Sequence, residues 1–105
     1  MARYMITYLG GDQPTDPEAG KQHFAKYQAW LTALGKAATS PMNPFKETRT
    51  VHPDGTITPG SSIAMSGYTI LEVDSMEKAL NITRDCPFLE IGGSIEVSEL
   101  MEIPA

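Results

Sequence analysis

The stretch from Ile63 to Val73, Ile-Ala-Met-Ser-Gly-Tyr-Thr-Ile-Leu-Glu-Val, constrains the fold more than any other part of the chain. It is rich in β-branched and aromatic residues and contains no proline, which predicts a strand. Side-chain alternation puts Ile63, Met65, Gly67, Thr69, Leu71 and Val73 on one face and Ala64, Ser66, Tyr68, Ile70 and Glu72 on the other. Both faces are substantially apolar. A strand at a solvated sheet surface would carry a polar face, so this one belongs in the middle of a sheet covered on both sides. Gly67, beside Tyr68, leaves a gap in mid-strand that suits a bulge, a ligand or another backbone, or a bulky neighbour folded over it.

The other elements follow from local chemistry. Arg3 to Leu9 alternates Tyr4, Ile6 and Tyr8 with Met5, Thr7 and Leu9, a second strand with apolar groups on both sides that ends at Gly10 and Gly11. Asp16 is placed to accept from the first free amides of a helix, Pro17 suits the first helical position, and Gly35 is a natural stop. Along that helix Phe24, Tyr27, Leu31 and Leu34 form one stripe facing the sheet, with His23 and Trp30 one above the other at its edge. Ala37 to Pro44 reads as a loop because Pro41 and Pro44 would break a helix, and Phe45 to Val51 reads as an edge strand. Pro53-Asp54-Gly55 and Pro59-Gly60 are turn signals. Asp74-Ser75-Met76-Glu77 resembles a capping box that starts a short helix, limited near Asp85 by Pro87. Gly92 and Gly93 release a last strand, Ser94 to Ile103.

The resulting order, strand, helix, strand, strand, helix, strand, predicts an α+β, ferredoxin-like βαββαβ fold. Its four-stranded antiparallel sheet carries both helices on one face. Two helices cover only one face, yet the first and third strands offer Tyr, Met, Leu and Ile to both. A second copy of the same chain is the simplest cover, so a homodimer is expected.

Residues 1–105 are expected to form a single domain, large enough to bury about two-thirds of its unfolded surface. No apolar run reaches the roughly 20 residues that span a bilayer, and the amino terminus lacks a signal-peptide layout, so the expected location is cytoplasmic. With 13 acidic against 8 basic residues, a net charge of -5 and no basic cluster, nucleic acid is not an expected partner. One cysteine, Cys86, excludes an internal disulfide, and two histidines with no close spacing argue against a metal site. Cys86, before Pro87, reads as a small buried hydrophobe rather than a nucleophile. Gly10-Gly11-Asp12 lacks the spaced glycines and lysine of a phosphate loop, and no cofactor is expected. Tyr4, Tyr8, Ser66 and Tyr68, on the two best strands, are candidates to line a cavity with hydroxyl groups, or else fill the core.

Taken together, the first strand ending in Gly-Gly-Asp, the helix with Gln22-His23-Phe24, and Ser40-Pro41-Met42-Asn43-Pro44 make a familiar sequence. So do Gly67-Tyr68-Thr69-Ile70-Leu71-Glu72-Val73 and Cys86-Pro87-Phe88 followed by Gly92-Gly93-Ser94-Ile95-Glu96-Val97. In this order the five segments, covering nearly the whole chain, resemble the YCII-related (DGPF-type) family. The resemblance implies a dimeric α+β barrel in which two ferredoxin-like sheets face each other. Members near the family's namesake carry a histidine and an aspartate regarded as a catalytic pair, and here His23 matches the histidine and Asp12 is the best match for the acid. The chain shows Thr58-Pro59-Gly60-Ser61 where the name motif Asp-Gly-Pro-Phe would fall.

Two functions are compatible with these residues. One is a cofactor-free lyase or isomerase that moves a proton on a small cyclic or aromatic substrate, with His23 as base and Asp12 as its orienter. The other is a noncatalytic homodimer that binds a small molecule or a protein partner, in which His23 packs against Trp30 or caps a backbone carbonyl. His52, beside Pro53 in a turn, reads as a solvated loop residue.

Overall fold

A computed structural model describes residues 1–12 and 14–103. Strand β1 (Ala2–Gly10) is followed by helix α1 (Pro17–Leu34), and β2 (Ala38–Pro44) by a ribbon of β3 (Arg49–Val51) and β4 (Ile57–Pro59). The chain then forms β5 (Met65–Val73), α2 (Met76–Thr83) and β6 (Gly93–Glu99). The main sheet has the order β2-β5-β1-β6 with antiparallel neighbours throughout, and β3 and β4 form a separate two-stranded sheet. The fold is therefore α+β, with a four-stranded antiparallel sheet and two α-helices.

Register decides which side chains share a face. Tyr4 lies opposite Leu71, Ile6 opposite Thr69 and Tyr8 opposite Gly67, while β6 adds Val97 beside Ile6 and Ile95 beside Tyr8. This row forms the core with Tyr27, Trp30 and Leu34 of α1 and Met76, Ala79 and Ile82 of α2, so both helices lie on the same face. The other row sets Met5 between Ile70 and Ser98 and Thr7 between Tyr68 and Glu96. On it, Met5, Leu9, Tyr68 and Ile70 stay half-exposed.

Helix α1 keeps the bounds its caps dictate. The Asp16 carboxylate accepts from the Glu18 amide at 3.2 Å, Pro17 opens the first turn and Gly35 closes the last. For α2 the cap is Ser75, whose Oγ accepts from the Lys78 amide at 3.1 Å, and not Asp74, which instead lies 3.9 Å from the Lys78 ammonium.

Four expectations are corrected. The segment expected to be a loop, Ala37 to Pro44, is the edge strand β2 from Ala38 onward. Its prolines are tolerated because an edge strand pairs along one side only, and its pairing with β5 is irregular, with register shifts on both sides of Ser40. The segment expected to be the edge strand, residues 45–51, leaves the sheet, and only Arg49–Val51 is extended, paired with β4. The central strand starts at Met65 rather than Ile63, because Ala64 adopts a left-handed φ of 56° that a continuous strand cannot accommodate. Its carbonyl is used in the turn, accepting from the Gly10 amide at 2.9 Å. The last strand likewise ends at Glu99, leaving Met101 and Ile103 exposed.

Gly67 answers its own question. A Cβ there would lie 2.7 Å from the Asn43 carbonyl oxygen, so the gap admits the β2 backbone. Only glycine allows the edge strand to come this close.

Candidate functional site

The close approach at Gly67 sets the floor of a pocket of ≈ 340 Å³. Gly20, His23, Phe24 and Tyr27 recur at helical spacing and line one wall from α1. The end of β2 contributes Met42, Asn43 and Pro44, with Phe45 just beyond it, and the start of β5 contributes Ser66, Gly67 and Tyr68. Tyr8 closes the inner end together with Phe88 and Ile91 of the single-turn helix Pro87–Ile91, and Pro14 also borders the space. The Phe88 ring packs edge-on to Tyr8 at 5.2 Å and fills the space that a side chain at Gly93 would need. Most of the wall is apolar and aromatic with a few polar groups inserted, a composition suited to a small organic ligand.

Of the residues singled out from sequence, His23, Tyr8, Ser66 and Tyr68 line this pocket. Tyr4 does not line it. Four residues along β1 place its Cα about 13 Å from that of Tyr8, and it is a core residue whose Oη donates to Glu99 Oε1 at 3.4 Å. Burial, and secondarily the Glu99 charge, raise its pKa above the ordinary phenol value. Asp12 is exposed and is not among the lining residues. Its amide donates to the Ile91 carbonyl at 2.8 Å, which directs the loop toward the Pro87–Ile91 turn. Ion pairs among the described residues join Lys26 to Glu90, Arg49 to Glu47 and Lys78 to Asp74, so none links Asp12 to His23.

The polar lining is internally bonded. Asn43 Nδ2 donates to the Ser40 carbonyl at 3.2 Å, to Ser40 Oγ at 3.0 Å and to the Tyr68 carbonyl at 3.2 Å, pinning the irregular edge strand. Tyr27 Oη lies 3.1 Å from Tyr8 Oη, Tyr8 Oη 2.7 Å from Thr69 Oγ1, and Thr69 Oγ1 2.6 Å from the Pro41 carbonyl. Burial pushes the pKa of Tyr8 well above the ordinary phenol value, so its hydroxyl stays protonated.

Tyr27 and Asn43 were not anticipated as site residues. Tyr27 belonged to a stripe indistinguishable from core, although its spacing from His23 and Phe24 was the available signal. Asn43 lay in the segment read as a loop. His52 is tied into the ribbon by its Nε2, 2.8 Å from Thr58 Oγ1, well away from these residues in the chain. Cys86 is buried, and burial pushes its thiol up to about 11, which keeps it protonated and poorly nucleophilic at neutral pH. Among the described residues no three His, Cys, Asp or Glu side chains converge as a metal site would require. No helix of the described residues is long and apolar enough to cross a membrane.

Fold and pocket together define a small α+β domain with an aromatic-walled pocket. No protein-family model matches the chain, and no curated protein matches it.

Proposed function

We propose that the chain is a YCII-related, ferredoxin-like protein that works as a homodimeric α+β barrel in the cytoplasm. In this reading it is a cofactor-free lyase or isomerase acting on a small cyclic or aromatic substrate. The observation that carries the functional part is His23 on the wall of a ≈ 340 Å³ aromatic pocket. An imidazole at a pocket wall can take a proton from a substrate carbon and return it to a neighbouring one. The strand order β2-β5-β1-β6 supports the ferredoxin-like assignment, and the half-exposed apolar row of Met5, Leu9, Tyr68 and Ile70 supports a second copy as the cover. The family assignment rests on the five sequence segments.

A second reading, noncatalytic binding, draws its support from Asp12, which makes no ion pair with His23. An unsaturated five-membered lactone that bears a hydroxyl group, in D2O, separates the two. Catalysis predicts deuterium uptake at the carbon next to the carbonyl that His23→Gln slows by about 10²-fold or more, with the thermal midpoint nearly unchanged. Equal rates for the two proteins, together with retained binding, would leave the noncatalytic reading.

A further inference from the structure

The pocket's polar groups share one property that follows from counting hydrogens. A carbonyl only accepts, so at 2.6 Å the Thr69 hydroxyl must donate to Pro41. Thr69 Oγ1 then has only lone pairs for its 2.7 Å contact with Tyr8, and Tyr8 must donate to it. Tyr8 has no second hydrogen, so its 3.1 Å contact with Tyr27 is a bond donated by Tyr27. The direction of the whole chain is thus fixed from its buried end, at Thr69, which is 0% exposed. One further pocket residue has the same polarity. Asn43 turns its amide hydrogens to two carbonyls and a hydroxyl, which orients its Oδ1 as the free end.

We propose that this pocket is an acceptor-lined site selective for aromatic ligands that present hydrogen-bond donors, O–H or N–H, over equally shaped ligands that present only acceptors. Tyr8, Tyr27 and Asn43 have lone pairs to offer and no spare hydrogens. A ligand oxygen set against them meets like-charged density and loses its hydration without replacement, whereas a ligand O–H or N–H is matched. His23, with either tautomer accessible, and Ser66 and Tyr68, which project from the opposite face of the sheet, stand outside this count. The inference deepens the functional reading by naming the ligand chemistry, and it rests on the pocket being the binding site.

Indole and benzofuran test it, being nearly the same shape and differing in an N–H against a ring oxygen. NMR titration of the full chain should show indole binding about tenfold more tightly than benzofuran, the scale of one unmatched buried polar group. Shift changes are expected at Tyr27 and Asn43. Thr69→Val, at a position that does not line the pocket, removes the acceptor for the Tyr8 hydrogen and frees it to turn outward. The preference should then narrow to about twofold, reflecting the loss of that bond. Tyr8→Phe, which frees the Tyr27 hydrogen instead, should narrow it likewise and serves if the valine variant fails to fold. Equal affinity of the two probes for the unaltered protein overturns the inference while leaving a binding pocket in place. An unchanged preference in a folded variant overturns the relay as its cause. Failure of both probes to shift any pocket residue at millimolar concentration rejects the pocket as the site, and the inference with it.

Discussion

The two faces of β1 and β5 are built from the same backbone and from comparably apolar residues, yet they end in different environments. Tyr4, Ile6, Thr69 and Leu71, under the helices, are at most 2% exposed. Met5 and Ile70, one residue along on the same strands, remain half-exposed. Strand propensity and hydrophobicity are alike on the two sides, so the difference comes from what lies above each face. On the covered side even a threonine is wholly buried, because its hydroxyl is bonded in both directions, to Tyr8 and to Pro41. No buried side-chain polar atom among the described residues is left without a partner.

The sharpest way to break the contrast is to place the same charge on each face in turn. Leu71→Asp buries a carboxylate with no partner beneath the helices, at a cost of several kcal/mol, comparable to the roughly 5–15 kcal/mol that stabilises a domain. It should prevent folding, as judged by circular dichroism. A soluble variant with an unchanged thermal midpoint would contradict the covered face. Ile70→Asp, one position earlier, should leave the chain folded and act on assembly instead. Sedimentation should give a dimer for the unaltered chain at micromolar concentration and a monomer for the variant. A native chain that sediments as a monomer would reject the dimer.

The smallest effect concerns pH. Burial on the covered side raises the Cys86 thiol from its ordinary 9.0 to about 11, so the unfolded chain releases this proton first. Between those values the unfolded state binds fewer protons, and stability falls as pH rises. The thiol's contribution is flat below about pH 9, and the raised Tyr8 hydroxyl extends the decline to higher pH. Urea midpoints at pH 8 and 10.5 should differ less in Cys86→Ala than in the native chain. An identical pH slope in the two would show that the thiol does not contribute.

What the sequence revealed was whatever depends on neighbours in the chain. Asp16, Pro17 and Gly35 bound α1 because capping is settled within a few residues, and alternation marked β1 and β5 as the two-sided strands. The edge was illegible for the opposite reason. Ser40, Pro41, Asn43 and Pro44 have the composition of a loop, and only the β5 backbone passing at Gly67 makes them a strand. The residues that did alternate turn away after Phe45, whose amide still donates to the Ser66 carbonyl at 2.9 Å, and find no further partner in the main sheet. The site divided along the same line. His23 lies at the edge of its helical stripe, as its spacing indicates, and reaches the pocket. Proximity in sequence could not reveal that the loop carrying Asp12 bonds to Ile91, nor that Tyr4 and Tyr8, on one face, serve core and pocket separately.

The pairing of β1 also governs when the molecule can form. Ala2 lies opposite Val73 and Gly10 opposite Gly93, so β1 leaves a ribosome well before either of its partners, β5 and β6. Closing loops of that length before any sheet contact is made slows folding more than it costs stability. Throughout synthesis of the intervening residues Ile6 and Tyr8 have only α1 available to shield them, and the edges of β1 stay unpaired. Until β5 is made, this protein is a strand in search of a sheet, and its greatest exposure to aggregation falls in that interval.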